Sequence, residues 1–435
     1  MEYEKLLSRY SYAELRIQKS IDTSIRINNE EVKTVSGNSF GLSVRVLENG
    51  SWGFASGDKL SDLENLLITA KRLALLSSGK IKLSENDDFS SQKVRKKHDQ
   101  LDIDRKIKEL LSVSNELSDG KIISRSISFT DSYTQKEFYN SIGQSVYEDQ
   151  LHSYLSVSAV SKSADNIQRF SERSSSCSGA SNLNYQLASD VKKKAIAMLN
   201  AAPSPKGRFS VVLDPEMTGV FSHEALGHAA EADSIIDRES ILAGKIGMKI
   251  GNENVTIVDD PTANDFGHYV FDDEGVKARP TVLLSKGVLA NYINSKETAR
   301  ALDIDPNGHA RAEDYSSVPV VRMSNTYFQP GEESLSDVFD VHSGVYLKGM
   351  KGGSVDIFSG GFMFKAQEAY EIKNGEIGKL MKDVTITGNI LETLNQIESV
   401  GKDFGTSPGV CGKSGQDAPV SDGGPHIRIR NIAIG

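Results

Sequence analysis

The stretch Phe221-Ser222-His223-Glu224-Ala225-Leu226-Gly227-His228-Ala229-Ala230-Glu231 constrains this chain more than any other. It is helix-forming, follows a strand-like run, and sets two histidines five positions apart with a glutamate beside the first. Imidazole is the commonest ligand for zinc, and a neighbouring carboxylate can serve as base for water activated there. In a regular α-helix five residues turn through roughly 500°, which sets His223 and His228 about 140° apart. The spacing therefore predicts a widened turn between them, a distortion common at functional sites, with Gly227 as the residue that tolerates it. The competing reading is a surface helix that happens to carry two histidines. With eight histidines in 435 residues such a pairing is uncommon, and metal binding is the stronger expectation.

Two histidines leave a catalytic zinc one protein ligand short. Glu231, one turn beyond His228, is one candidate. Cys411 is another, set among glycines in Gly409-Val410-Cys411-Gly412-Lys413-Ser414-Gly415. Thiolate is a strong zinc ligand, yet a free cysteine is as often a small buried apolar residue. The residues alone leave these readings even. The chain's other cysteine, Cys177, makes no disulfide framework with it.

A chain of this length has room for two or three domains and a sizeable core. A net charge of −9 argues against a general nucleic-acid binder, whose affinity comes from neutralising phosphates. The one basic run, Lys93-Val94-Arg95-Lys96-Lys97-His98, reads as a solvated linker face. No apolar run approaches the length of a membrane span, and Met1-Glu2-Tyr3-Glu4-Lys5 lacks a signal-peptide core. A cytoplasmic protein without membrane or nucleic-acid partners is expected.

The fold class expected is α+β, with an α+β domain over residues 1–200 and a mainly antiparallel β domain over 201–435. In the first, a short helix (Tyr3 to Arg9) precedes strands at Ala13 to Gln18, Thr23 to Thr34 and Phe40 to Glu48, with a turn at Asn49-Gly50. Ser61-Asp62-Leu63-Glu64 reads as a capping box for a helix reaching about Leu76, and Ser77 to Gln100 as a loop. A helix at Asp102 to Leu117 precedes strands at Ile122 to Phe129, Lys136 to Asn140, Gln144 to Tyr147 and His152 to Val160. Ser171 to Ser181 is serine-rich and reads as mobile, and Gln186 to Leu199 as a helix. The prolines and glycine of Ala201-Ala202-Pro203-Ser204-Pro205-Lys206-Gly207 mark the domain boundary. Beyond it one strand and the histidine helix lead into a hairpin of Thr281 to Leu284 with Val288 to Ile293, joined at Lys286-Gly287, and another of Phe362 to Phe364 and Ala369 to Ile372, followed by Lys373-Asn374-Gly375-Glu376, with one helix near Ile390 to Ser399 interrupting this half. A curved sheet or partial barrel around the site helix is the expected architecture.

The histidine stretch, taken with Cys411-Gly412-Lys413-Ser414-Gly415-Gln416 and Pro419-Val420, resembles the TldD/PmbA family, in particular its TldD branch. Asp272-Asp273-Glu274-Gly275-Val276, Val321-Arg322-Met323-Ser324-Asn325-Thr326-Tyr327, Gly352-Gly353-Ser354-Val355-Asp356 and the early Gly41-Leu42-Ser43-Val44-Arg45-Val46 are similar too. Ser421-Asp422-Gly423-Gly424 departs from the more glycine-rich turn usual there. The resemblance implies a zinc metallopeptidase with His223, His228 and Cys411 as metal ligands and Glu224 as general base. It implies a homologous TldE (PmbA) subunit as partner, with a homodimer when the chain is produced alone. Glu231 is then expected to hold a histidine or an arginine in place and not to bind zinc, and His309 and Arg322 are candidate oxyanion donors that serve equally well as structural residues. Extended or unfolded peptides are the expected substrates, taken by strand addition. The alternative is a non-catalytic binding partner, against which the complete His223, Glu224, His228 and Cys411 set argues. A regulator of DNA topology enzymes is a third reading, which the acidic composition does not support.

Overall fold

The computed structural model describes residues 2–84, 92–96 and 102–435. After α1 (Glu2–Leu7) the chain enters two very long strands, β1 (Tyr12–Asn28) and β2 (Glu31–Glu48), and then β3 (Ser51–Gly57). The expected strand Thr23 to Thr34 is thus two arms of one hairpin, reversed where Asn29 takes φ 54°. The turn at Asn49-Gly50 is present, with φ of 51° and 69°. Helix α2 (Leu63–Ala74) lacks the expected capping box, because the Ser61 hydroxyl bonds the Asp62 carboxylate instead and a 3-10 turn leads in. Within the expected loop Ser77 to Gln100 a short strand, β4 (Gln92–Val94), forms, while 85–91 and 97–100 lie outside the described residues. Lys93 and Arg95 of the basic run lie over the Tyr147 ring, and its Lys97 and His98 are also outside the described residues.

Helix α3 (Ile103–Glu116) is followed by β5 (Ile122–Asn140) and β6 (Ser145–Ser163), each continuous where the sequence suggested two strands. They pair along nearly their whole length, so the polar segments between the apolar runs stay in register. The serine-rich segment forms most of β7 (Asn166–Ser176), paired with β6, and α4 (Leu187–Ala197) closes this half. Serine's weak strand preference is overridden there by the continuous ladder to β6.

These strands make one sheet in the order β3-β2-β1-β5-β6, with β4 and β7 both on the far side of β6. Its two faces differ. One carries Ile25, Ile27, Phe129, Leu155 and Val157 under α3 and α4, and Leu15, Leu42 and Val44 under α2. Each such side chain fully buried contributes about 1.5–3 kcal/mol, and this face holds the sheet to its helices. The opposite face is polar, with Glu14, Arg16, Arg45, Glu148 and Gln150 all buried. It is covered by the rest of the chain.

That remainder begins with β8 (Ala202–Pro203), β9 (Gly207–Leu213), α5 (Pro215–Val220) and α6 (Ala232–Ile236). There follow β10 (Ile257–Asp259), β11 (Thr281–Ser285), β12 (Val288–Leu289), α7 (Lys296–Leu302), β13 (Ala310–Arg311), β14 (Val320–Val321) and β15 (Asn325–Phe328). Next come α8 (Leu335–Val338), β16 (Ser343–Asp356), β17 (Gly361–Lys373), β18 (Glu376–Lys382) and β19 (Thr385–Asn389). The chain ends with α9 (Ile390–Gln396), β20 (Ile397–Val400), β21 (Gly405–Lys413), β22 (Gln416–Gly424) and β23 (Ile427–Ile434). Strands β16, β9, β23, β19 and β17 pair in that order, and β17 pairs back to β16, closing a five-stranded barrel. A second sheet runs β12-β11-β10-β15-β22-β21, with β21 as its edge. The expectation of one helix after the site was too low. Helix α7 has a full capping box in which Ser295 accepts from the Thr298 amide at 3.2 Å while the Thr298 hydroxyl accepts from the Ser295 amide at 2.9 Å.

The polar sheet face meets the second half through Asp272-Asp273-Glu274-Gly275-Val276. Glu274 accepts from Arg45 at 2.9 Å and from the Lys296 amide at 2.8 Å, and Arg45 also binds Glu14. Asp273 accepts from Lys136 at 3.0 Å and from the Ala312 amide at 2.8 Å. Gly275 has φ 73°, and a Cβ there would stand 2.4 Å from the Phe138 ring, so both conformation and space require glycine. This motif is the joint between the halves. Each buried charge in it has a partner of opposite sign or a backbone donor, without which burial would be prohibitive.

Candidate metal centre

Strand β9 delivers the chain from the barrel into α5, whose N-cap Asp214 accepts from the Met217 amide at 2.9 Å with Pro215 in the first turn. Burial and the nearby Glu216 push the Asp214 carboxyl up to about 7, against bonds from the Met217 and Gly349 amides. From Phe221 to Gly227 the helix widens into a π-helix. The His228 amide donates to the His223 carbonyl, five residues back. A hydrogen bond of that span stacks the two histidines on one side, as the spacing required. Their rings lie 5.0 Å apart, edge to face. Gly227 does not act as expected, since its φ of −57° and ψ of −58° are ordinary helical values. What it supplies is space, because a Cβ would stand 2.0 Å from Met323 Sδ.

Cys411 comes from β21, opposite Ala418 on β22, and its Sγ lies 3.6 Å from His228 Nε2. Donor atoms of His223, His228 and Cys411 all lie within 4.8 Å of one another. Burial raises the Cys411 thiol, but the two imidazoles more than offset this and hold it at about 5, so sulfur is thiolate at neutral pH. His223 Nδ1 is buried without a hydrogen-bond partner. Two nitrogens and a thiolate suit zinc, and tetrahedral bonds of usual length would separate sulfur from nitrogen by about 3.5 Å. The residues present fit the ion.

Glu231 does not join this triad. Its carboxylate lies 3.3 Å from His228 Nδ1 and accepts from Lys413 Nζ at 3.0 Å, which leaves His228 Nε2 to face Cys411. Burial works against the Glu231 charge, but His228 and Lys413 hold the carboxyl below its usual range. A carboxylate behind a ligating imidazole fixes its tautomer and direction. Glu224 is half-buried beside His223, and among the described residues its carboxylate accepts no hydrogen bond. It is left available to a proton.

The two candidate oxyanion donors are engaged elsewhere. His309 is fully buried, with Nδ1 2.9 Å from Asn307 Oδ1 and Nε2 2.9 Å from Asp259 Oδ1. Asp259 also takes bonds from Ser324 and Thr326. Both ring nitrogens therefore face acceptors inside the protein. Arg322, also fully buried, donates to the Cys411 carbonyl and to the Gln416 carbonyl at 2.9 Å, holding both ends of the turn that carries the cysteine.

Three neighbours were not among the site residues expected from the sequence. Lys413 ties Glu231 to Asp233 and to the Val321 carbonyl, bonds of 3.0, 2.7 and 2.9 Å that stitch the two ligand segments together. Asp422, on β22, has its carboxyl pushed up to about 7 by burial, opposed by His223 and Arg173. Arg173 stands on β7, in the segment expected to be mobile. The departure of Ser421-Asp422 from the glycine-rich pattern was the only available hint of Asp422. Nothing local pointed to Arg173, which the fold brings in from the other half.

Comparison with known proteins covers nearly the whole chain. Models of the PmbA/TldA metallopeptidase match domain 1 at residues 13–77, the central domain at 96–199 and the C-terminal domain at 206–435. A metalloprotease of Methanothermobacter thermautotrophicus is 42% identical over 440 residues, covering 98% of this chain and 96% of that one. A zinc metalloprotease TldD homolog of Saccharolobus solfataricus is 32% identical over 439 residues, with the same shares of 98% and 96%. The fold is shared with a Thermotoga maritima crystal structure (TM-score 0.83, 21% identity, 100% of this chain and 99% of that one). It is shared also with TldE from Thermococcus kodakarensis (TM-score 0.79, 19% identity, 100% and 98%). On residues that run from its first long strand to its last, the chain belongs to the PmbA/TldD metallopeptidase family.

Proposed function

We propose that this chain is a zinc-dependent peptidase that hydrolyses unfolded or extended peptides in the cytoplasm, paired with a homologous TldE-like subunit. The observation that carries the reading is the convergence of His223, His228 and Cys411 within 4.8 Å, with the half-buried Glu224 next in the chain to His223. Related chains bear the name metalloprotease, one of them zinc metalloprotease, and a TldE shares the fold. The working junction between halves is at residues 200–201, since among the described residues no strand of the first sheet lies beyond Ser176.

His223, His228 and Cys411 would hold the ion, with Glu231 behind His228 and Arg322 behind Cys411. Zinc held there supplies Lewis acidity toward a carbonyl oxygen and toward water. Glu224 takes the proton from the attacking water and returns it to the leaving amine, the two transfers expected of one positioned carboxylate. Strand β21 is a sheet edge, and an extended peptide laid along it is read through its backbone beside the ligand cysteine. Broad sequence tolerance and a requirement for unfolded substrate follow.

The test is elemental analysis of the purified chain with peptide digestion before and after chelation. About one zinc per chain and chelator-sensitive cleavage are expected. Full cleavage by metal-free protein would overturn the reading.

A further inference from the structure

Peptide hydrolysis needs a donor for the charge that gathers on the carbonyl oxygen when water adds to it, and His309 and Arg322 are both committed elsewhere. The first half of the chain brings a cation to this place. In β7, Phe170 lies under the helices, so by alternation Ser171 and Arg173 face the second half. Ser171 is docked there. Its amide and hydroxyl donate to Gln367 Oε1 at 3.0 and 3.1 Å, and Gln367 Nε2 donates back to its carbonyl at 2.8 Å. Gln367 packs in turn on Gly349, whose amide donates to the Asp214 carboxylate at 3.2 Å, and the next amide, Met350, donates to Glu216 at 3.1 Å. Asp214 and Glu216 open the helix that carries the histidines, so β7 is fixed to the base of the metal helix.

Arg173 is two positions beyond Ser171 on the same face, and β7 also packs against β21, the strand of Cys411. The link to the ligands runs through Asp422, which pairs with Ser407 of β21. Its backbone lies so close to α5 that a Cβ at Gly219, one turn before His223, would stand 2.6 Å from the Asp422 carbonyl carbon. Burial raises the Asp422 carboxyl, His223 and then Arg173 oppose it, and Glu216 and Glu224 add to it. One carboxyl thus feels a metal ligand, the proposed base and Arg173 together. Arg173 is half-buried, and among the described residues its guanidinium makes no hydrogen bond and no ion pair. By contrast Arg169, on the same strand face, is exposed and donates to Ser158 at 3.4 Å. A guanidinium held among carboxylates without contacting one keeps its donors for another acceptor.

We propose that Arg173 is a catalytic residue of the peptidase, donating from its guanidinium to the scissile carbonyl oxygen as that oxygen becomes anionic. The proposal rests on the peptidase reading and deepens it. As water adds, its oxygen bonds the carbonyl carbon, one proton passes to Glu224, and the carbonyl π pair moves onto oxygen, where Arg173 meets it. When that pair returns the C–N bond breaks, and the amine leaves with the proton from Glu224. A cation aimed at that oxygen binds it more strongly as charge develops, which is the condition for lowering the barrier. A peptide carbonyl, charged only in the transition state, suits these surroundings better than a substrate's terminal carboxylate. Asp422 and Glu216 stand near Arg173 and would repel a full resting charge. The first half of the chain is then part of the active site as well as its cover.

The metal-loaded full chain is assayed as wild type, Arg173→Ala and Arg169→Ala on a peptide acetylated and amidated at its ends, and on the same peptide with a free C-terminus. Arg173→Ala should keep its metal and its KM while kcat falls about 10²–10³-fold on both peptides, the loss expected of one oxyanion donor. Arg169→Ala should cleave as wild type does. A phosphonamidate peptide, whose anionic oxygen imitates the developing charge, should bind Arg173→Ala more weakly by the same factor. Binding of the blocked peptide to a Glu224→Gln chain should be unmoved by adding Arg173→Ala. Arg173→Met, long and uncharged, gives the same test should the alanine variant fold poorly. Wild-type turnover in the Arg173 variants, or a loss carried by KM alone, overturns the proposal. So does a loss confined to the peptide with a free C-terminus, which would make Arg173 a terminus-binding residue. Wild-type protein that cleaves beside an undiminished Arg173→Ala sinks Arg173 alone, whereas wild-type protein with no chelator-sensitive cleavage sinks the peptidase reading and this role with it.

Discussion

Gly227→Ala tests whether the π-helix is set by its packing. Local propensity favours the change, since alanine stabilises a helix by about 1 kcal/mol over glycine and the backbone is already helical here. The environment opposes it. A Cβ at this position would lie 2.0 Å from Met323 Sδ, 3.2 Å from its Cγ and 3.3 Å from its Cε, where ordinary carbon contacts are about 3.5–4.0 Å. Three atoms of one side chain are too close at once, so a single rotation of the methionine tip does not clear the overlap. Met323 is fully buried and begins the segment that holds Asp259, so it has no open space to enter. Overpacking of this kind costs about 1–3 kcal/mol, which leaves a net loss of up to about 2 kcal/mol after the propensity gain.

The larger effect should fall on the metal. Residue 227 adjoins His228, and a displaced helix moves one nitrogen ligand relative to a cysteine anchored by Arg322 on another element. A loss of metal affinity of about 10–100-fold is expected, comparable to disturbing a ligand's supporting shell. A double-mutant cycle with Met323→Ala isolates the cause, using urea unfolding for stability and a competing chelator for affinity. The methionine truncation alone should cost about 2–5 kcal/mol, and in the Gly227→Ala background it should cost about 1–3 kcal/mol less. Additive energies, or Gly227→Ala with wild-type stability and metal affinity, would refute the packing account.

Glu224→Gln should retain metal and fold while cleavage falls by about 10²–10⁴-fold, and near-normal turnover would remove Glu224 as the base. Glu231→Ala frees His228 Nδ1 and should lower metal affinity about 10–100-fold without abolishing the site, whereas total loss would make Glu231 a ligand. In chelated protein, iodoacetamide labelling of Cys411 should persist as pH falls and halve near pH 5, where the thiolate protonates, instead of near the ordinary thiol range, with added zinc protecting it. Produced alone, the chain should run as a dimer in light scattering, since a surface used for a homologous partner is largely self-complementary, and a stable monomer that digests peptides well would contradict this.

The sequence displayed the ligand geometry better than the architecture around it. An interval of five between His223 and His228 is incompatible with one ion on a regular helix, so a wide turn could be read from spacing alone. Gly227 was visible as special, but for the wrong reason, because a glycine's missing Cβ can mean conformational freedom or room for a distant side chain, and only the fold supplies Met323. Hairpin turns at Asn49-Gly50 and Lys286-Gly287 were legible because positive φ leaves a local residue signature, whereas Phe362 to Phe364 and Ala369 to Ile372, expected as a hairpin, are one strand, β17, which turns at Asn374-Gly375 into β18. The length of β1, β2, β5 and β6 was not. Their polar stretches read as breaks, and they continue as strands because partners on both sides keep the ladder satisfied.

The same blindness hid the polar sheet face. Alternation in β5 and β6 correctly marks one side as apolar, but the other side would look the same whether it met water or a second half of the chain. Here Glu14, Arg45 and Glu148 are buried on it, each answered by a residue more than a hundred positions away or by its own ladder neighbour. The Asp272-Asp273-Glu274-Gly275-Val276 motif, as conspicuous in the sequence as the histidines, has its acidic groups committed to that joint. Acidic clusters in a metallopeptidase chain invite a catalytic reading. Their hydrogen-bond partners decide otherwise, whereas Glu224, next in the chain to His223, accepts no hydrogen bond among the described residues.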